Sequence, residues 1–119
     1  MATGRMRRVD EAVRQVISDA VAADLKDPRV GFVTVTDVRT SPDLRHARVY
    51  VSVLGAAGGT SAPDEREHTL EGLRSAHGYL QARVAGELHL KRTPTLEFVY
   101  DDTTDRAMRL EQLIERERR

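Results

Sequence analysis

The spacing of apolar residues changes from helical to extended at Asp27-Pro28. Of all features of the sequence, this change restricts the possible folds of the chain most. Before this point, apolar residues from Val9 to Leu25 recur at intervals of three and four, as in an amphipathic helix. Because proline disfavours a helical conformation of the preceding residue, the helix is expected to end there. Afterwards, β-branched residues fill 32–38 and every second residue of 45–54 is apolar. This part of the chain is therefore predicted to be a helix followed by an antiparallel hairpin with one buried face.

Three further elements are predicted beyond the hairpin. A Gly- and Ala-rich segment, 55–63, is predicted to be a flexible loop. Two helical stripes follow with a break at His77-Gly78, and 96–100 is typical of a third strand. A final helix and tail, 103–119, begins after aspartates that can cap it. The residues expected to face inward from this last helix are Leu110, Leu113 and Ile114.

The order of predicted elements, α-β-β-α-α-β with a C-terminal helix, indicates the α+β class. With 119 residues, of which 39% are hydrophobic, the chain is expected to bury one core and form a single domain, 1–119, with a basic N-terminal arm at 1–8. It has no cysteine, which excludes disulfides and thiolate sites. No apolar run approaches the roughly 18 residues of a membrane span, and the start does not resemble a secretory signal. A soluble, cytoplasmic protein is expected.

The survey for catalytic and metal-binding motifs finds one candidate. There is no nucleophile elbow, Walker A sequence or H-E-x-x-H motif, and no two of the four histidines lie two or four residues apart. The acidic cluster of Asp101, Asp102 and Asp105 offers oxygen ligands for a divalent cation, and a small metal-dependent enzyme is therefore one alternative. Because these carboxylates directly precede a helix, capping of its N-terminus is the favoured explanation. No catalytic residue, metal site, cofactor or small-molecule substrate is predicted.

The residues around the break between the two central helices belong to a longer ordered pattern. Gly55-Ala56-Ala57-Gly58 resembles the G-x-x-G loop of nucleic-acid-binding domains, but it follows a strand instead of joining two helices. The junction of the helices is Ala76-His77-Gly78. The other parts of the pattern are Arg8-Val9, Asp27-Pro28-Arg29-Val30, Val33-Thr34-Val35-Thr36-Asp37-Val38, Ser41-x-Asp43-Leu44-x-x-Ala47-x-Val49-Tyr50-Val51 and Leu90-x-x-x-Pro94-x-Leu96-x-Phe98-x-x-Asp101.

Taken together at these spacings, the motifs resemble those of the bacterial ribosome-binding factor A family. The resemblance covers about residues 8–114 and implies a type II K-homology-like domain, a three-stranded sheet with helices on one face, in which Ala-x-Gly replaces the G-x-x-G loop. It also implies a monomeric, non-catalytic assembly factor that binds the immature small (30S) ribosomal subunit and its 16S rRNA. Such a factor promotes late maturation and 5′-end processing of that rRNA and acts in cold adaptation. Other assembly factors, such as a GTPase that triggers release, are further partners to consider.

The charge pattern provides candidate contacts for RNA although the net charge is zero. Phosphate binding depends on local potential, since the Debye length is only about 8 Å at physiological salt. Basic residues gather at the start of the chain, around the second strand and after the third helix, away from the main acidic groups. With the helix junction, the candidate RNA-binding residues are Arg5, Arg7, Arg8, Arg45, His46, Arg48, Ala76, His77, Gly78, Arg83, Lys91 and Arg92.

Two explanations are considered for the junction of the helices, and two for the way in which RNA would be recognised. Gly78 either allows close approach of a phosphate to the start of the following helix or only lets two helices bend. Phe32, Phe98 and Tyr100 are expected to face inward, which leaves Tyr50 and Tyr79 for stacking on bases. Recognition of a folded RNA surface is therefore favoured over base-by-base reading. A protein–protein adaptor is the second alternative, for which RNA binding would show no dependence on salt.

Overall fold

The computed structural model describes residues 4–55, 59 and 61–118, and within them the chain forms a three-stranded sheet and four helices. The elements are α1 (Gly4–Ala23), β1 (Val33–Thr40), β2 (His46–Val53), α2 (Pro63–Ser75), α3 (His77–Glu87), β3 (Thr95–Tyr100) and α4 (Thr103–Glu117). This is the order of a type II K-homology-like domain followed by one more helix. The predicted α+β class and order of elements are confirmed.

The sheet has β2 in its centre, antiparallel to β1 and parallel to β3. The parallel pairing follows from the two helices between β2 and β3, which return the chain to the end where β2 began. The register of β1 shifts at Thr36, so that Val35 and Val38 both face the core although they are three residues apart. Alternate residues of the other strands complete this apolar face, among them Val49 and Phe98.

Helices α1, α2 and α3 cover one face of the sheet and supply the other half of the core. Ile17, Leu73 and Leu80 are fully buried there, which confirms the helical stripes seen in the sequence. α2 begins with Pro63 in its first turn, and the Glu65 carboxylate accepts a hydrogen bond of 3.0 Å from the Ala62 amide. No helix in the described part of the chain combines the length and the apolar character that a membrane span requires.

The predictions of a basic N-terminal arm at 1–8 and a flexible loop at 55–63 are met only in part by the described residues. The basic residues from Gly4 to Arg8 are the first turns of α1, not an arm, because this segment holds good helix formers and no proline. Residues 1–3 of the expected arm lie outside the described residues. Of the expected loop 55–63, residues 56–58 and 60 also lie outside them, whereas Ser61 is buried and α2 already begins at Pro63.

The expectation that α4 buries its apolar face is wrong. Its apolar residues Leu110, Leu113 and Ile114 are 58%, 55% and 43% exposed. The helix is held from another side, where Asp105 accepts a hydrogen bond of 2.7 Å from the Tyr100 hydroxyl. Five residues on, Leu110 lies about 140° further around the helix axis and points away from the domain.

One aromatic prediction fails in the same region of the molecule. Phe32 was expected to face inward, but it precedes β1 and is 76% exposed. Outside the strand, no pleat directs its side chain into the core. Phe98, which lies within β3, is buried as expected, and Tyr100 is half-buried.

Candidate nucleic-acid interface

Three separate segments meet at one end of the molecule and enclose a groove. The start of α1, the turn between β1 and β2, and the segment after α3 contribute its walls. We call this the basic groove, and it is lined by Arg5, Met6, Val9, Pro42, Asp43, Leu44, His89, Leu90, Lys91 and Arg92. The fold thereby brings Arg5 together with the distant residues His89, Lys91 and Arg92, which the sequence had placed in two clusters.

The cations of the basic groove have no anionic partner in the described part of the chain. Arg5, Lys91 and Arg92 are exposed, and none of them forms an ion pair with a carboxylate of residues 4–55, 59 or 61–118. Their charges are therefore available to an external anion and give this end of the molecule a positive potential.

The carboxylate of Asp43, which also lines the basic groove, is already occupied. It accepts hydrogen bonds from the Ser41 hydroxyl at 2.7 Å and from the Arg45 amide at 3.1 Å, and the Arg45 guanidinium lies 3.4 Å away. The bond from Ser41, supported by Arg45, lowers the pKa of Asp43, which keeps it ionised. Arg45 thus holds the turn at the rim of the groove and offsets the negative charge of Asp43.

The remaining arginines of the first turns of α1 point elsewhere. Arg7 faces a second groove shared with Asp10, Glu11 and Asp37, where charges of both signs mix. The Arg8 guanidinium donates a hydrogen bond of 3.4 Å to the carbonyl of Gly4. The three N-terminal arginines, expected to act as one cluster, are therefore spread around the helix.

The junction between α2 and α3 lies at the opposite end of α1 from the basic groove. Asp24, just after α1, accepts a hydrogen bond of 2.7 Å from the hydroxyl of Tyr79, two residues after His77. Since α1 rises 1.5 Å per residue, Arg5 and Asp24 are separated by roughly 28 Å along its axis. The candidate residues Ala76, His77 and Gly78 therefore do not form one site with Arg5, Lys91 and Arg92.

The arginines around the junction are engaged in ion pairs. Arg83 pairs with both Asp24 and Glu87. Its hydrogen bonds with Glu87 and with the Tyr79 hydroxyl, supported by the charges of Glu87 and Asp24, raise the pKa of Arg83. Arg29 is held by Asp27 and donates a hydrogen bond of 3.0 Å to the Ser75 hydroxyl, while Arg74 pairs with Glu67 at 3.2 Å. The junction is thus electrostatically balanced, in contrast to the basic groove.

Gly78 lies within the first turn of α3 and is exposed. Its φ is not positive, and beyond its own helix turn an added Cβ would meet no heavy atom of the described residues within 4 Å. Neither the backbone conformation nor the packing of the helices therefore requires glycine at this position. Of the two explanations for Gly78, the bend between helices loses its support, and the open space in front of it leaves room for a ligand.

The second-strand candidates His46 and Arg48 lie on the open face of the sheet. Their side chains point away from the helices, next to Arg39 and Tyr50. Arg48 lies 3.8 Å from the Glu97 carboxylate of the neighbouring strand, so its charge is partly offset. This face is polar and carries both signs of charge, and it borders the basic groove at the turn between β1 and β2, where Ser41 lines the one and Pro42 the other.

The three aspartates of the acidic cluster before α4 each bind different groups of this same chain. Asp101 accepts hydrogen bonds from the Thr103 amide at 2.9 Å and from the Thr36 hydroxyl at 2.7 Å. The Thr103 side chain lowers the pKa of Asp101 most, followed by the Thr36 hydroxyl and the Thr103 amide. Asp102 pairs with Arg106, and Asp105 with Tyr100 and Arg66. Asp101 thus binds the first amide of α4, as the capping prediction expects, whereas the side chain of the N-cap residue, Asp102, makes no capping hydrogen bond. Among the described residues, no three carboxylates or histidines are grouped to hold a metal ion.

The apolar floor of the basic groove was not anticipated from the sequence. Met6, Val9, Leu44 and Leu90 line the groove beside its cations and are all partly exposed, and Val9 and Leu90 also pack against the core. Leu44 is in the left-handed region, with φ of 60°, which is unusual for a branched side chain. A leucine directly after Ser-Pro-Asp, outside the alternation of the following strand, was the available signal.

Comparisons with known proteins agree on one family. The family model described as Ribosome-binding factor A matches residues 5–114. A Ribosome-binding factor A from an Anaeromyxobacter species is 47% identical over 116 residues, which cover 96% of this chain and 89% of that protein. These matches include the segments that form the basic groove and the junction.

Solved structures of the same description share the fold. The crystal structure of ribosome-binding factor A from Thermus thermophilus is 27% identical, with a TM-score of 0.67, and the match covers 80% of this chain and 94% of that one. A homology model of the Thermus thermophilus protein, fitted into the cryo-EM map of a 30S complex, is 28% identical. Its TM-score is 0.59, with 77% of this chain and 90% of that chain covered.

Proposed function

The chain belongs to the ribosome-binding factor A family, and from this premise we propose that it is an assembly factor that binds the immature small ribosomal subunit. A member of the family is described in a 30S complex. The 16S rRNA is the partner that the charges of the basic groove favour. Binding promotes late maturation of that rRNA, including processing of its 5′ end, without bond chemistry by this chain.

This proposal rests on the contrast between the arginines around the junction, which form ion pairs, and the cations of the basic groove. Arg5, Lys91 and Arg92 converge on one groove and have no carboxylate partner in the described part of the chain. Cations that are not compensated within a protein attract phosphates and release the counterions condensed on the nucleic acid. The arginines around the junction already have partners, so that the basic groove is the primary contact for rRNA.

The junction is the second proposed contact. Gly78 exposes its backbone and leaves space in front of it. Without a side chain, the first turn of α3 can approach a phosphate closely. Because the junction and the basic groove lie at opposite ends of α1, a folded RNA that presents two phosphate groups at this separation would contact both.

A conformational mechanism follows from this two-point contact. Binding energy favours the rRNA conformer that presents both contacts at the right separation, and this shifts the population towards it. A conformer present at about 1% becomes equally populated when the factor binds it about 100-fold more tightly than its competitor. In this proposal the chain acts in the cytoplasm as a monomer and supports growth at low temperature. Another factor, such as a GTPase, releases it from the subunit.

Co-sedimentation with separated ribosomal subunits tests the proposal. The triple variant R5Q/K91Q/R92Q is compared with R106Q/R109Q/R116Q, which removes the same charge from exposed positions of α4. Retention on the small subunit is expected for the wild type and the control, and at least a tenfold loss for the groove variant. In cells that depend on each variant, 16S rRNA with an unprocessed 5′ end should accumulate with the groove variant only.

Two results would overturn the proposal. One is absence of the folded wild-type chain from the small-subunit fraction even at low salt. The other is equal loss of retention in both triple variants, which would show that total charge, and not the basic groove, determines binding. Circular dichroism of each variant establishes that it is folded.

A further inference from the structure

The basic groove has two chemically distinct parts. Its rim carries the cations Arg5, Lys91 and Arg92, whereas its floor is formed by aliphatic side chains. Of the floor residues, Val9 and Leu90 also pack against the core, whereas Leu44 adds apolar surface from the turn between β1 and β2. The groove, of about 810 Å³, lies within the roughly 300–1,000 Å³ of sites for small organic groups.

The turn between β1 and β2 directs Leu44 into this floor. The Leu44 amide donates a hydrogen bond of 2.9 Å to the carbonyl of Ser41, and Asp43 binds the Ser41 hydroxyl. These bonds close a turn that holds Leu44 at φ of 60°, a conformation that glycine or asparagine adopts more readily. An unfavourable backbone conformation that presents an apolar side chain at a charged rim is typical of a functional position.

We propose that the basic groove binds a single unpaired nucleotide of RNA, with its base on the aliphatic floor and its flanking phosphates on the rim. This inference rests on the proposed function, since it names the RNA element taken by the same groove. Every nucleotide has a flat, weakly polar base between two phosphates, which matches an apolar floor bordered by Arg5, Lys91 and Arg92. A paired base keeps its faces stacked inside the helix and cannot reach the floor.

The scarcity of exposed aromatic residues is consistent with this mode. Bases taken out of a stack are held between apolar as well as aromatic side chains, and Leu44 and Leu90 provide aliphatic surface for one of them. Contact through a single base face carries little information about base identity. The groove therefore selects for an unpaired nucleotide at the right place in a folded RNA and not for a sequence.

The test compares two RNA hairpins of equal length, one fully paired and one with a single-nucleotide bulge. Fluorescence anisotropy gives the affinity of the full chain for each hairpin. We expect the bulged hairpin to bind on the order of tenfold more tightly, the size of one base-stacking contact. Leu44→Asn, which suits a positive φ, should abolish this preference, whereas Leu54→Asn, the same change at an exposed position outside the groove, should preserve it.

The outcomes separate this inference from the proposed function. Retention on the small subunit, together with equal affinity for both hairpins or a preference that Leu44→Asn leaves intact, would overturn the nucleotide site alone. Failure to bind both the hairpins and the small subunit would overturn the proposed function as well. If a synthetic peptide with leucine between acidic residues competes for the groove and binds more tightly than the bulged hairpin, its occupant is a protein segment and the inference is wrong.

Discussion

Arg83 of α3 donates a hydrogen bond to the Asp24 carboxylate at the end of α1. The Tyr79 hydroxyl donates to the same carboxylate oxygen at 2.7 Å, and Glu87 binds the other side of the guanidinium. The contact joins the antiparallel helices α1 and α3 and compensates the charge of Arg83. A residue that the charge pattern alone placed among the RNA contacts is thus part of the helix packing.

Replacing Arg83 should therefore affect stability more than RNA binding. Arg83→Gln is expected to lower the free energy of unfolding slightly but measurably, because partly exposed ion pairs contribute little to stability. Retention on the small subunit should stay within about twofold of the wild type. Urea denaturation and co-sedimentation measure the two effects, and a large loss of retention at unchanged stability would contradict this assignment.

Two glycines next to the junction should respond in opposite directions to alanine. A Cβ at Gly72 would lie 2.6 Å from Cγ2 of Val30, so Gly72→Ala is expected to cost about 1–3 kcal/mol through overpacking. At Gly78 there is open space and a helical conformation, so Gly78→Ala is expected to stabilise by about 0.5–1 kcal/mol. Urea denaturation measures both effects.

The Gly78→Ala variant also tests the second proposed contact. If the α3 start approaches a phosphate, this more stable variant should nevertheless bind the small subunit several-fold more weakly. Retention equal to that of the wild type would remove the junction from the proposed interface and leave the basic groove unaffected.

The stability of the chain should fall between about pH 4 and pH 2 because of Asp27. Hydrogen bonds from the Arg29 side chain and amide lower the pKa of Asp27 from 3.8 to about 2. The unfolded chain then takes up its proton at a higher pH than the folded chain, so acid favours unfolding across this window. Thermal melts of Asp27→Asn should show a shallower decline of Tm from pH 4 to pH 2, and a decline as steep as that of the wild type would contradict the assignment.

Substitutions at two leucines should show that α4 contributes little to the core. Leu73 is fully buried and Leu113 is 55% exposed. Leu73→Ala is expected to cost about 2–5 kcal/mol, whereas Leu113→Ala should change the free energy of unfolding by no more than about 0.5 kcal/mol. Chemical denaturation of the two variants makes the comparison. A loss above about 2 kcal/mol for Leu113→Ala would show that the outer face of α4 is packed in solution.

The fold could be predicted from the sequence wherever periodicity and burial coincide. The stripe that includes Val13 and Ile17, and the alternation that includes Val49, reflect contacts with a single core, and the structure confirms both. The same reasoning failed for Leu110 and Leu113, because an apolar stripe shows that a surface is apolar and not what covers it. The position of α4 depends instead on the bonds of Asp105 to Tyr100 and to the distant Arg66, which no apolar pattern encodes.

The candidate site was predictable in its residue types but not in its grouping. Basic residues are visible in the sequence, yet only the antiparallel packing of α1 and α3 brings Arg5 to Lys91 and separates both from Gly78. Whether a cation is free depends on a carboxylate elsewhere in the chain, as Arg83 and Asp24 illustrate. The floor of the basic groove depends on the φ of one residue, Leu44, which no periodicity encodes.

The salt dependence of binding to purified small subunits tests the central claim most directly. The logarithm of the affinity should fall linearly with the logarithm of the KCl concentration for the wild type. Because each lost phosphate contact reduces the magnitude of the slope by about 0.7–0.9, R5Q/K91Q/R92Q should lower it by about 2–3, and the charge-matched α4 control should not. Parallel lines for all three proteins would contradict the claim that the basic groove contacts rRNA, and a flat line for the wild type would indicate a protein–protein adaptor.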